Sequence, residues 1–378
     1  MRLTPRQLNR ATLARQRLLV REHAPVVDTV RRLVALQAQE PASPYLALWN
    51  RLEGFDPAEL DAAFADHAIV KAPLMRVTLH AVAAEDHRAF HGAVLTTLRG
   101  ARLHDARFKA TGLTADDADG LVPHLVAFAS RPRSKDDIEA MLAEHLGSAP
   151  ERGVWWALRT FAPLVHAPTS APWSFGSTPA YVAAPRSVDG ERDPAALERL
   201  IGRYLRAFGP ASRQDFAQFA LLRQTTVRPA FEAMAKALIT FEGPDGAELF
   251  DHPGSPLPAD DTPAPPRLMA MWDSVLLAHA DRGRLIPPEY RSHVIRRNGD
   301  VLPTLLVDGY VAGVWRTVDE GIEVLTFHRL SDEAWSDVAA EARRLLAMLT
   351  PRDPAVYRRY THWWPKLPSA EVRVIGAE

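Results

Sequence analysis

Two carboxamides one residue apart, Gln37 and Gln39 in the stretch Leu36-Gln37-Ala38-Gln39-Glu40, form an unusual polar pattern in this chain. A glutamine offers a carbonyl acceptor that can orient a water molecule and an amide donor that can hold its own position, with no buried charge to desolvate. The pair also has a plain reading. Both residues fall near the end of a predicted helix, where side chains two apart diverge and simply cap the last carbonyls. To converge on one water they need a distorted final turn, and Pro41 supplies a cause for one.

Other chemistries are thinner. The chain lacks a GxSxG nucleophile elbow, a GxxxxGKS/T phosphate loop, a GxGxxG turn and an HExxH helix. With zero cysteines it has no disulfide, thiol nucleophile or thiolate metal site. His87 and His91 share a helix face, but no glutamate lies between them and no third ligand is indicated, so a solvated pair is expected. His279-Ala280-Asp281 has the local spacing of an iron-binding facial triad with His293 or His328, weak support in a chain of 14 histidines. No metal or cofactor is expected.

The elements that must carry these residues begin at Thr4-Pro5, a hydroxyl cap with proline in the first turn, predicting a helix to about Val20. A second helix follows Pro25 and runs until Pro41 forbids it. Asp56-Pro57 opens another, and short strands over Ile69 to Lys71 and Arg76 to Val82 close a hairpin. Helices closed by a hairpin are the pattern of a winged helix-turn-helix. It recurs where Ser134 and Asp137 cap a helix, with Glu151 to Phe161 supplying another and a long wing ending near Val182. It recurs again where Ser212 and Asp215 cap a helix, followed by Ala230 to Ala237 and a hairpin of Leu238 to Phe241 with Glu248 to Phe250. The expected division is therefore 1–130, 131–190 and 191–252 as about three tandem winged-helix units. A proline-rich linker, 253–266, and a β-rich C-terminal region, 267–378, follow. In that region Asp308-Gly309 marks a hairpin, and Ser331 starts a long helix to about Leu349. The fold class is α+β.

Length, 378 residues with 47% hydrophobic, suffices for two or three domains with real cores. No cationic leader and no apolar run of membrane-spanning length is read, so a cytoplasmic protein without a membrane partner is expected. The net charge of −1 looks wrong for a DNA-binding protein, but its distribution is uneven. Residues 1–32 hold eight arginines against Glu22 and Asp28, and Arg282 to Arg297 holds five against Glu289. One basic face is the expectation, with arginine used throughout as the plainer alternative.

The Gln-apolar-Gln triplet resembles the signature of the AlkZ family of winged-helix DNA glycosylases. Further blocks resemble that family in order: Arg76-Val77-Thr78-Leu79-His80, Trp155-Trp156-Ala157-Leu158-Arg159, Phe208-Gly209-Pro210-Ala211, His279-Ala280-Asp281-Arg282 and Leu302 through Gly309. Together they span nearly the whole chain. A related branch has Gln-apolar-Asp, so Gln39 places this chain nearer the AlkZ branch. The resemblance implies a DNA glycosylase with Gln37 and Gln39 as catalytic residues, acting on duplex DNA with alkylated purines or crosslinks. It also implies self-resistance to an alkylating natural product such as azinomycin, and no obligate protein partner. Cationic N7- or N3-alkylpurines already depart readily, so neutral amides suffice to place water near C1′. No lysine lies near the triplet in sequence to form a Schiff base, and a monofunctional enzyme is expected. The resemblance further implies a concave basic surface and a hairpin in the minor groove, for which Asp308-Gly309 is a candidate. Arg76 and Arg282 are candidate phosphate contacts, and His279 and Asp281 candidates for the site's edge. Each has an alternative as a salt-bridged or core residue. Trp155-Trp156 reads as core before base stacking. A winged-helix regulator without chemistry, or a protein that sequesters the drug, stays open at this point.

Overall fold

The computed structural model describes residues 1–185 and 195–377. The boundary expected at 190/191 lies outside the described residues. Thirteen strands form three sheets among the described residues. The first sheet contains β1 (Leu36–Gln37), β2 (Ile69–Pro73), β3 (Leu79–Ala83), β4 (Arg133–Ser134), β5 (Leu164–Ala167) and β6 (Ala180–Ala183), in the order β1-β3-β2-β5-β6-β4. Strands from 1–130 and from 131–190 thus share one sheet. The pair β7 (Ile239–Glu242) and β8 (Glu248–Asp251) follows the helices Ala196–Phe208, Arg213–Ala220 and Gln224–Met234. The C-terminal sheet is ordered β13-β12-β11-β10-β9, from β9 (Arg267–Leu268), β10 (Thr304–Val307), β11 (Tyr310–Val318), β12 (Gly321–Thr326) and β13 (Glu371–Ile375). The fold is mixed α and β. No helix among the described residues is long and apolar enough to cross a membrane.

Side-chain caps set seven of the fourteen α-helix starts among the described residues. Thr4 and Gln7, Ser134 and Asp137, and Ser212 and Asp215 each form a reciprocal box that satisfies two orphan N–H groups. The long helix Asp332–Leu349 starts on Ser331, but the chain continues beyond it and returns as β13 to the sheet edge.

Two helices end earlier than their sequences predict. The first stops at Arg15, because Arg17 takes φ +54 and turns the chain. The second stops at Arg32. Val34 adopts φ +70, and Leu36–Gln37 then leaves as strand β1 to pair with β3. A β-branched residue in the left-handed region is held only where surroundings dictate it. Val34, fully buried in one core while Leu36 enters another, meets that condition.

The two large cores lie on opposite sides of the first sheet. Leu36 and Ala81 belong to one, shared with the C-terminal sheet and the helix Ser43–Trp49; Ala72 and Val82 belong to the other, with the helices of 84–231. The helix Pro5–Arg15 joins the parts by ion pairs. Seven of the eight arginines in residues 1–32 meet carboxylates, as in Arg6 and Arg10 with Asp308, Arg15 with Asp251 and Arg21 with Glu341. The eighth, Arg32, reaches the Arg15 carbonyl. The N-terminal charge surplus is therefore spent inward rather than forming a basic face. Arg17 and Arg31 take the local acids Glu22 and Asp28, whereas Arg6, Arg10, Arg15 and Arg21 reach acids 236 to 320 positions away, which no local charge count reveals. The segment 253–266 has no regular element, as expected, but Arg6, Arg10 and Arg15 hold its carbonyls at Asp260, Thr262 and Pro256.

Candidate active site

Gln37 lies on the edge strand β1, buried at 4% exposure, and Gln39 lies exposed two residues on. In extended chain, residues two apart share a face. The geometry a regular helix would forbid is thus supplied by a strand rather than by a distorted helical turn. Ala38 N–H donates to the Leu79 carbonyl at 2.7 Å, continuing the ladder past β1 and holding the triplet on β3.

Both amides are anchored through their carbonyls. Arg76 Nη2 donates to Gln37 Oε1 at 2.7 Å, and the Leu79 N–H donates to Gln39 Oε1 at 3.1 Å. A guanidinium and a backbone N–H can only donate, so the atoms facing them must be the oxygens. The expectation that the amide donor holds each side chain is therefore reversed. Each Oε1 keeps a second lone pair, and neither NH₂ meets a protein acceptor among the described residues. The adjacent carboxylate, Glu40, turns to Tyr360 Oη at 2.9 Å and to Arg359.

Arg76 sits in the turn Met75–Val77 between β2 and β3, where it and Val77 take φ +56 and +59. Sequence placed it in the strand. Consecutive left-handed non-glycine residues store strain, which persists when neighbours over-determine the turn. Here Arg76 Nη1 also donates to the Phe219 carbonyl at 3.1 Å and its guanidinium lies 5.5 Å from the Phe219 ring centre. No carboxylate pairs with it among the described residues; burial, then the neighbouring Arg282, pulls its pKa down to about 9. The candidate phosphate contact is thus directed at Gln37. Arg76→Ala is expected to slow single-turnover excision about 100-fold by freeing that amide, with DNA affinity little changed. Arg76→Lys, which keeps a donor, should recover part of the rate; equal loss of rate and affinity in both variants would refute the positioning role.

His80 shares a face with Gln37 as its cross-strand partner. Its Nδ1 meets the Thr78 carbonyl at 3.0 Å, leaving Nε2 buried without a hydrogen-bond partner. Burial and then Arg76 hold its pKa at about 3, so it is neutral.

The remaining candidates are elsewhere. His279 is buried, its Nε2 2.9 Å from the Phe208 carbonyl, while the exposed Asp281 caps a turn through Gly283 N–H. They line a cleft of about 600 Å³ with Asp215, Arg284 and Asp245, whose lining includes neither glutamine. Arg282 bridges the two places: it donates to the His279 carbonyl and depresses Arg76. Asp308 and Gly309 form the expected hairpin turn, but its tip packs on the helix Pro5–Arg15. Asp308 pairs with Arg6 and Arg10, and a Cβ on Gly309 would lie 2.6 Å from Arg10 Nη1 and Leu13 Cδ1. The hairpin tip therefore has a docking partner within the chain. His87 is buried and His91 half-buried, the two rings stacked, contrary to the solvated pair expected, because their helix packs that face against the helix Arg152–Phe161, where His91 Nε2 lies 3.0 Å from the Phe161 carbonyl. Trp155 is core; Trp156 is half-buried beneath Arg102 and Arg107.

Sequence reading missed His80 and Lys71. The signal for Lys71 is a charged residue inside the apolar run Ile69-Val70-Lys71-Ala72, in a chain with five lysines against forty arginines.

An enzyme that acts on DNA bases is the class these features define: the profile of the AlkZ-like DNA glycosylases matches residues 30–348, and the chain belongs to that family. It is 28% identical over 363 residues to an interstrand DNA cross-link repair glycosylase of Streptomyces sahachiroi, covering 91% of this chain and 97% of that protein. The solved structure of the Streptomyces sahachiroi DNA glycosylase AlkZ shares the fold, with a TM-score of 0.80 at 24% identity over 92% of this chain and 97% of that one.

Proposed function

We propose that the chain is a monofunctional glycosylase that hydrolyses the N-glycosidic bond of bulky N7- or N3-alkylated purines, unhooks interstrand crosslinks, and protects a producing cell from an alkylating natural product. The observation that carries this reading is the pair of carbonyl-anchored amides with the one adjacent carboxylate turned away. The second lone pairs of Gln37 and Gln39 Oε1 accept the two hydrogens of a water, which aims the water's own lone pair at C1′. Among the described residues beside the pair, the one carboxylate, Glu40, is engaged by Tyr360 and Arg359, and none is placed to protonate a leaving base. That suits a leaving group already cationic, whose glycosidic bond is weakened before the enzyme acts. The similarity to a cross-link repair glycosylase supports the substrate class. In the same reading, the three helix groups that end in β2–β3, β5–β6 and β7–β8 are winged-helix units, and the exposed Arg291 and Arg297, not the N-terminal helix, supply basic surface.

The test is excision from duplexes carrying N7-methylguanine, a bulky N7-alkylguanine, or a crosslink between guanines, scored as alkali-labile abasic sites. Cleavage of the alkylated strands with none in unmodified or neutral-lesion DNA is expected. Absence of product from every alkylated duplex would sink the proposal.

A further inference from the structure

Lys71 is 4% exposed, and among the described residues it makes no hydrogen bond and no ion pair. A buried ammonium without an acceptor is costly, and elsewhere this protein assigns its buried ion pairs to arginine. Its surroundings compensate only weakly. Nζ lies 4.4 Å from the Phe175 ring centre, and the one carboxylate whose field reaches it, Glu40, is already held by Tyr360 and Arg359. The pKa is accordingly pushed down to about 8 by burial.

The sheet register shows what stands beside it. Ala81 of β3, Lys71 of β2, His166 of β5 and Tyr181 of β6 are successive cross-strand partners, so their side chains share one face. Gln37, His80 and Ala72 form the neighbouring row on the other face. Along the Lys71 row His166 is held neutral by burial and then by Lys71 and Arg159, and burial raises the pKa of the Tyr181 hydroxyl against the opposing charge of the nearby Arg159. Arg159 is exposed and, among the described residues, unpaired with any carboxylate. Ammonium, imidazole and phenol thus stand on one face with the guanidinium nearby, and among the described residues no carboxylate pairs with any of them, the complement of an oxygen-rich anion.

We propose that Lys71, His166, Tyr181 and Arg159 form a seat for one backbone phosphate of the DNA, on the face of the sheet opposite Gln37. β1 is the edge strand, and Lys71 is two strand spacings from it, about 10 Å. The inference rests on the chain acting on DNA and is independent of what the glutamines do.

Lys71→Met and Arg159→Gln in the full chain test it, with a short duplex, undamaged or carrying N7-methylguanine, as the probe. Each variant should bind both duplexes more weakly, and the slope of log Kobs against log salt should fall in magnitude by about 0.9. Lys71→Met should also melt at the same or a higher temperature, since it removes an uncompensated charge. An unchanged salt slope in both variants overturns the proposal. So does a lower Tm for Lys71→Met with normal binding, the mark of an internal pair with Glu40. Arg159→Gln, at an exposed position, keeps the test valid should Lys71→Met fold poorly. Salt slopes on undamaged duplex are measurable even if no lesion is excised, so this failure and failure of the proposed reaction are told apart.

Discussion

Gln37→Ala and Gln39→Ala are each expected to lower single-turnover excision of an N7-alkylguanine about 100- to 1000-fold, the scale of losing one preorganised polar group that acts in the transition state. DNA affinity should stay within a few-fold, because neither amide carries charge and neither sets the sheet's position: β1 is held on β3 by backbone bonds through Leu36, Gln37 and Ala38. The two losses should not add in the double variant, since one water shared by two acceptors is lost with either. Gln37→Glu separates orientation from basicity. A carboxylate at 37 would meet Arg76 in a charge-assisted bond that holds it away from the water, so this variant should also be impaired, whereas Gln39→Glu faces only the Leu79 N–H and should retain more activity. Wild-type excision by both alanine variants would end the assignment of the pair.

The pairing of Gln37 with Gln39 shows what sequence could and could not disclose. Capping boxes at Ser134 and Ser212, and the turn at Asp308-Gly309, depend on residues within a few positions, and they were legible. The strand that carries Gln37 was not. Val26 to Leu36 has helical periodicity, and only the pairing with Leu79 to Ala81, more than 40 positions on, together with the left-handed turn at Val34, converts its end to strand. The same limit hid the fate of the N-terminal arginines and the position of Arg76, whose carbonyl partner Phe219 is 143 residues away. The triplet itself could be recognised as a motif. Which end of each amide faces the water is a tertiary fact.

Asp273→Ala is expected to destabilise the protein by about 3–5 kcal/mol, the largest stability effect of any single substitution argued from this fold. Arg51 and Asp273 are 0% and 1% exposed and form two parallel bonds of 2.8 Å each. Removing the acid strands a guanidinium whose Nε is already buried without a partner, leaving it only the Ala47 carbonyl at 2.8 Å and Gln16 Oε1 at 3.2 Å. Asp273 also caps the turn Ser274–Leu276, so its loss frees the Val275 N–H as well. The pair joins the end of the helix Ser43–Trp49 to the segment between β9 and β10, linking the side of the sheet that carries the glutamines' chain segment to the C-terminal sheet. Arg51→Met with Asp273→Leu should therefore lose much less than Asp273→Ala alone, because two apolar side chains leave no charge to desolvate. Urea unfolding of the three proteins measures the difference; a double variant as unstable as Asp273→Ala would show that the pair's geometry, rather than the stranded charge, holds the two parts together.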